Sequence, residues 1–148
     1  MSKRRFILAG GLSIAALALS GMGAAQSLVE RRTALRGYDP VSYFSPGHPE
    51  MGSEQFTAPF DDATYWFKSA DHRALFVADP ERYAPRYRGY CAVSMSHGRK
   101  IEANPEVWAI INDRLYVFGS ADGKTAFHGD SQAIERANAN WSELGKTR

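Results

Sequence analysis

The sequence predicts an α+β fold: a small single domain of antiparallel hairpins and short helices. Three observations carry that expectation. Two pairs of aromatic and β-branched segments, "EQFTAPF" with "TYWFKS" and "VWAII" with "RLYVF", are each split by a short Asp/Asn-containing turn. A serine-capped stretch of helix-forming residues follows the first pair. An amphipathic stretch near the C-terminus places Ile134, Ala137 and Trp141 on one stripe. Hairpins mixed with short helices in 148 residues suit one domain.

The N-terminus reads separately. Met-Ser-Lys-Arg-Arg is a positive opening, "FILAGGLSIAALAL" is an apolar run, and "SGMGAAQS" supplies small residues for cleavage after Ala25. That order is a secretory signal over residues 1–25. The run is shorter than the ~20 residues a spanning helix needs. Arg4-Arg5 fits a twin-arginine signal in part, with Lys3 and Ile7 departing from it. The expected location is therefore periplasmic or secreted, with no stable membrane insertion after cleavage.

Removing that segment takes away Lys3, Arg4 and Arg5 and no acid. The formal charge falls from +2 to −1, so composition argues against a nucleic-acid partner. One cysteine excludes an internal disulfide. No internal repeat is evident by inspection.

Residues 26–36 read as a mobile or helical lead, and 37–148 as the domain. Gly37, Pro40, Pro46, Gly47, Pro49 and Gly52 punctuate a loop-rich entry, with "DPVSYF" as a turn into a short piece. The two hairpin strands then follow, and Pro59 places the first at a sheet edge. Ser69 caps a helix over Ala70 to Ala78 with Leu75 and Phe76 inward; Asp79-Pro80 ends it and starts another. "YCAVSMSH" reads as a short helix between Gly89 and Gly98. The second hairpin turns at Asn112-Asp113. The last helix is capped by Asp130 or Ser131.

"GYDPVSYF" followed by "TYWFKSADHRALFVADPERYAPRYRGYCA" resembles a YHS domain of the secreted bacterial kind, from Gly37 to about Trp141. The resemblance implies a small α+β fold. It also implies kinship with short cysteine-bearing domains attached to copper-transporting ATPases, where a metal-handling role is suspected. Some secreted members of the family carry selenocysteine at the position matching Cys91, which implies that chalcogen chemistry is the use of that position. The metal-associated versions have cysteines where this chain has Ser42, Lys68 and His72, so a thiolate-rich site cannot form here.

Three uses of Cys91 follow. The first is metal, with Cys91, Met95, His97 and His72 as candidate ligands and copper as the ion suited to them; His48 and His128 are further imidazoles that the fold could bring in. On a helix Cys91 and Met95 approach closely enough to share an ion; on a strand they do not. The second is thiol redox chemistry, with Cys91 as nucleophile in the first turn of its helix and a redox partner protein supplying the second thiol. The third is a buried structural thiol in a partner-binding module without chemistry. Asp39, between Tyr38 and Tyr43, reads as a turn cap. Nucleotide and common hydrolase motifs are absent.

Overall fold

The computed structural model describes residues 31–147, so the expected leader lies outside the described residues. The fold is α+β. Strand β1 (Arg32–Thr33) leads into a 3-10 turn (Ala34–Gly37), then a loop, then β2 (Ser53–Phe60) and β3 (Ala63–Phe67). Helices α1 (Ala70–Ala78) and α2 (Pro80–Tyr83) follow. A second 3-10 turn (Arg86–Gly89) opens α3 (Ala92–Ser96), β4 (Asn104–Ile111), β5 (Arg114–Phe118), α4 (Ala121–Gly129) and α5 (Ala133–Leu144). One sheet has the order β1-β3-β2, with β1 parallel and β2 antiparallel to β3; β4 and β5 form the other, antiparallel. No described helix is long and apolar enough to cross a membrane.

The local chemistry explains these elements. Both hairpins turn on two residues at positive φ, Asp61 and Asp62 in one and Asn112 and Asp113 in the other. Short Asx side chains tolerate that conformation, and its twist matches the flanking strands. The β2 strand is an edge strand, where Pro59 removes no ladder bond that a neighbour needs. The Ser69 side chain caps α1 by accepting from the His72 amide. Asp79 accepts from the Arg82 amide to cap α2, with Pro80 as its first residue. Cys91 stands at the N-cap of α3, one position before its first turn, and Gly98 ends that helix at φ +73.

The N-cap of α5 is Gln132, without a side-chain cap bond, in place of the expected Asp130 or Ser131. The structure departs from expectation in four further places. The described part of the 26–36 lead is integrated: Arg32–Thr33 pairs with Ala63–Thr64, and Ala34 and Leu35 are buried. Leu75 points outward at 47% exposure, while Phe76 alone is buried on α1. Helix α4 has no counterpart in the sequence reading, because Gly123 and Gly129 dilute its helix propensity.

The fourth departure is an internal repeat. The 3-10 turns match residue by residue: Leu35, Arg36 and Gly37 have φ of 53, 50 and 86°, and Tyr87, Arg88 and Gly89 have 57, 53 and 81°. Isolated bridges follow at Tyr38↔Met51 and Tyr90↔Glu102. Each hairpin carries a register shift near its start, between Ser53 and Thr57 and between Asn104 and Trp108. Ser69 and Ser120 cap the next helices with nearly identical backbone angles. The chain is one unit used twice, displaced by 51 or 52 positions, with α5 added to the second copy.

Each copy builds its own core from the same positions. Tyr65, Phe67 and Phe76 pack in the first, and Tyr116, Phe118 and Phe127 in the second. The Phe67–Phe76 and Phe118–Phe127 ring centroids lie 5.0 and 5.3 Å apart. A third cluster joins the copies: Leu35 and Tyr43 from the first meet Cys91, Ala103, Leu115 and Val117 from the second.

Phe76→Ala and Phe127→Ala are each expected to cost about 3–5 kcal/mol in denaturant unfolding, as matched core positions. Burial pushes the Tyr43, Tyr65 and Tyr87 phenols above their ordinary value. The folded state then holds protons that the unfolded state releases, so stability is present below about pH 10 and lost above it. Ultraviolet titration is expected to show these phenols ionising together with alkaline unfolding; ionisation with the fold intact would contradict their burial.

Candidate functional site

Asp39 begins the first copy after its 3-10 turn, and Cys91 begins the second. Both backbones are held alike. The Asp39 amide donates to the Glu50 carbonyl at 2.9 Å, and the Cys91 amide to the Ile101 carbonyl at 2.8 Å. Both side chains then turn under the end of their hairpin. The Lys68 amide donates to Asp39 Oδ2 at 2.9 Å, and the Gly119 amide donates to Cys91 Sγ at 3.2 Å. Lys68 and Gly119 are each the residue between the hairpin and the helix-capping serine.

The first copy fills its position with a carboxylate. Asp39 is fully buried. Its Oδ1 accepts from the Val41 amide at 2.8 Å, closing the turn expected from sequence. Its Oδ2 also meets His72 Nδ1 at 2.6 Å, with the His72 side chain 15% exposed. A carboxylate removed from water needs donors of this kind. Lys68 reaches over to Glu50, whose carboxyl is held below its ordinary range first by that hydrogen bond.

The second copy carries different chemistry on the same frame. Cys91 is 2% exposed. Where the first copy has Lys68 and His72, the second has Gly119 and Gly123; a Cβ built on Gly123 would meet Val93 at 3.0 Å and Ser120 at 3.3 Å. Gly119 itself is exposed, and a Cβ built on it would lie 3.7 Å from the Cys91 sulfur.

The sequence-predicted ligands are dispersed. Met95 is fully buried in the second copy's own core with Tyr87, Tyr116, Phe118 and Phe127, whereas Cys91 belongs to the cluster between copies. Cys91 and Met95 are joined through the main chain, the Met95 amide donating to the Cys91 carbonyl at 2.9 Å. His97 is exposed at the end of α3, and His72 is engaged with Asp39 in the other copy. His48 and His128 are exposed. Among the described residues, no three His, Cys, Asp or Glu side chains are grouped to hold an ion.

Sequence reasoning missed the Asp39–His72 pair and the Gly119 contact to Cys91. The signal for both was alignable: "RGYDPVSYF" and "RGYCAVSMS" share five of nine residues, and "SAD" recurs at Ser69 and Ser120.

Asp39→Ala removes the buried acceptor of three donors and is expected to cost about 3–5 kcal/mol. His72→Ala, which leaves the two amide bonds in place, is expected to cost less than half of that. Chemical denaturation of both variants measures the ratio; equal costs would mean that His72, not the amides, holds the carboxylate.

No protein-family model matches the chain, and no curated protein or solved structure matches it either.

Proposed function

We propose that the protein works through the Cys91 thiol, exchanging with a disulfide presented by a partner in an exported compartment. One observation carries the reading: the sulfur occupies the place of a buried carboxylate in the other copy and accepts the equivalent amide proton, from Gly119. The absence of a side chain at Gly119, where a Cβ would lie 3.7 Å from the sulfur, supports access from that side. The resemblance to secreted YHS domains and the signal-like N-terminus support a compartment where disulfides persist.

The step balances with an external partner. The Cys91 thiolate attacks one sulfur of the disulfide, a Cys91–partner S–S bond forms, and the other sulfur leaves with the electron pair. This chain has no second cysteine, so an external thiol must attack the mixed disulfide and return Cys91 to its reduced form. Copper handling by the same sulfur is the alternative reading, with Met95, His97 and His72 as its candidate ligands.

Incubating the native reduced protein with glutathione disulfide at neutral pH is expected to give a mixed disulfide by mass spectrometry. Cys91→Ser is expected to give none, and Gly119→Val to slow it by about tenfold or more by closing the approach. Reaction only in denaturant would sink the proposal. Cu(I) retained by the wild type and lost in Cys91→Ser, with no mixed disulfide, would return the sulfur to metal handling.

A further inference from the structure

We infer that the outer edge of β4 pairs with the β4 edge of a second copy of this chain, joining two hairpins into one continuous sheet across a two-fold axis. The repeat supplies the argument, because the equivalent edge in the first copy is closed. In a hairpin with a two-residue turn, the pair flanking the turn exchanges both its hydrogen bonds, and bonded and non-bonded pairs then alternate. Pro59, opposite Thr64, and Thr57, opposite Trp66, therefore turn their backbone groups away from β3. Pro59 has no N–H to offer there, and Arg73 Nε donates to the Thr57 carbonyl at 2.6 Å.

The second copy lacks both devices. Ile110, opposite Leu115, stands in the place of Pro59, and Trp108, opposite Val117, in that of Thr57. Their N–H and C=O groups face away from β5, and among the described residues none of them has a hydrogen-bond partner. Lys124 takes the place of Arg73 and makes no bond to the Trp108 carbonyl. Strand β5 lies against the second 3-10 turn, so the open edge is that of β4. Its side chains are apolar on both faces: Val107, Ala109 and Ile111 pack toward the core of the second copy, Trp108 and Ile110 toward the cluster between copies. A strand apolar on both faces suits the interior of a sheet.

The edge is complementary to itself, which selects a second copy over an unlike strand. Antiparallel pairing centred on Ala109 sets Trp108 against the partner's Ile110, and Ile110 against the partner's Trp108, each pair exchanging both its bonds. Ala109 meets the partner's Ala109 at the axis, a non-bonded pair whose Cα atoms approach to about 4.5 Å, where a small side chain fits. Val107 then faces the partner's Ile111, and Glu106 the partner's Asn112, so no like charges are opposed.

Sedimentation of the native reduced protein at about 0.1 mM, where even a weak pairing is populated, is expected to give the mass of two chains. Hydrogen exchange at the Trp108 and Ile110 amides is expected to slow by about tenfold or more from dilute to concentrated protein, with the Thr57 amide unchanged. Ile110→Pro and Lys124→Arg, which reproduce the first copy's edge, are each expected to weaken association by about tenfold or more. Lys124→Arg alters only a part-exposed side chain, so the test stands even where the proline variant does not fold. The mass of one chain at about 0.1 mM overturns the inference. So does a dimer whose Trp108 and Ile110 amides exchange as in the monomer, or one that Lys124→Arg leaves as tight as before. Protection of those amides at every concentration overturns it too, since another segment of the same chain would then fill the edge.

Discussion

The amide that leaves each hairpin and meets the side chain opening the same copy is the bond on which the rest of the arrangement depends. It joins three segments distant in sequence: the left-handed 3-10 turn, the end of the second hairpin strand, and the start of the following helix. In the first copy, residue 39 and residue 68 are thereby fixed against each other. The next residue, Ser69, caps α1, and the turn of α1 brings His72 back to the same carboxylate. One buried side chain thus sets where the strand stops and where the helix begins. Removing water from that carboxylate is costly, so the frame holds only while all its donors stay in place.

Much of this was legible in the sequence, and the rest failed for definable reasons. Strands β2 to β5, the caps at Ser69 and Asp79, and the short helix ending at Gly98 follow from pattern and turn chemistry. Helix α4 escaped because Gly123 and Gly129 weaken its helical signal, yet Ser120 caps it as Ser69 caps α1. Leu75 misled because hydrophobicity alone does not fix a helix face; Phe76, one residue on, takes the buried place against Tyr65 and Phe67. The pairing of Asp39 with His72 depends on residues 33 apart that only the fold brings together. The repeat was hidden by divergence at the positions carrying chemistry, since Asp39 faces Cys91, and His72 faces Gly123.

The two copies differ most at the side chain that opens each of them. The first holds its carboxylate with the Val41 and Lys68 amides and an imidazole, while the Lys68 side chain bonds Glu50. The second removes both side chains and places a softer, more polarisable atom beneath. It is also the second copy that acquires α5, whose Asn140 bonds the Met95 and Ser96 carbonyls at the end of α3. Ala137 and Trp141 of the same helix pack into the core around Met95. The helix that begins at Cys91 is therefore anchored at its far end, where the first copy has only a turn. Support at the far end of the helix fixes the orientation of the residue that opens it.

Burial of the thiol does not by itself choose between an inert and an active sulfur. A cysteine kept only for packing would be served by apolar neighbours on every side. Cys91 has them on one side, from Leu35, Leu115 and Val117, and an aligned amide from an exposed glycine on the other. A valine or alanine at residue 91 would leave the Gly119 N–H without its acceptor, so the sulfur is matched to a polar group as well as to a volume. Its counterpart shows the same preference at greater strength, with a full carboxylate on three donors. The repeat thus supplies what a lone cysteine in a sequence cannot: a second instance of the same backbone, holding an acid, against which the chemistry of the first can be judged.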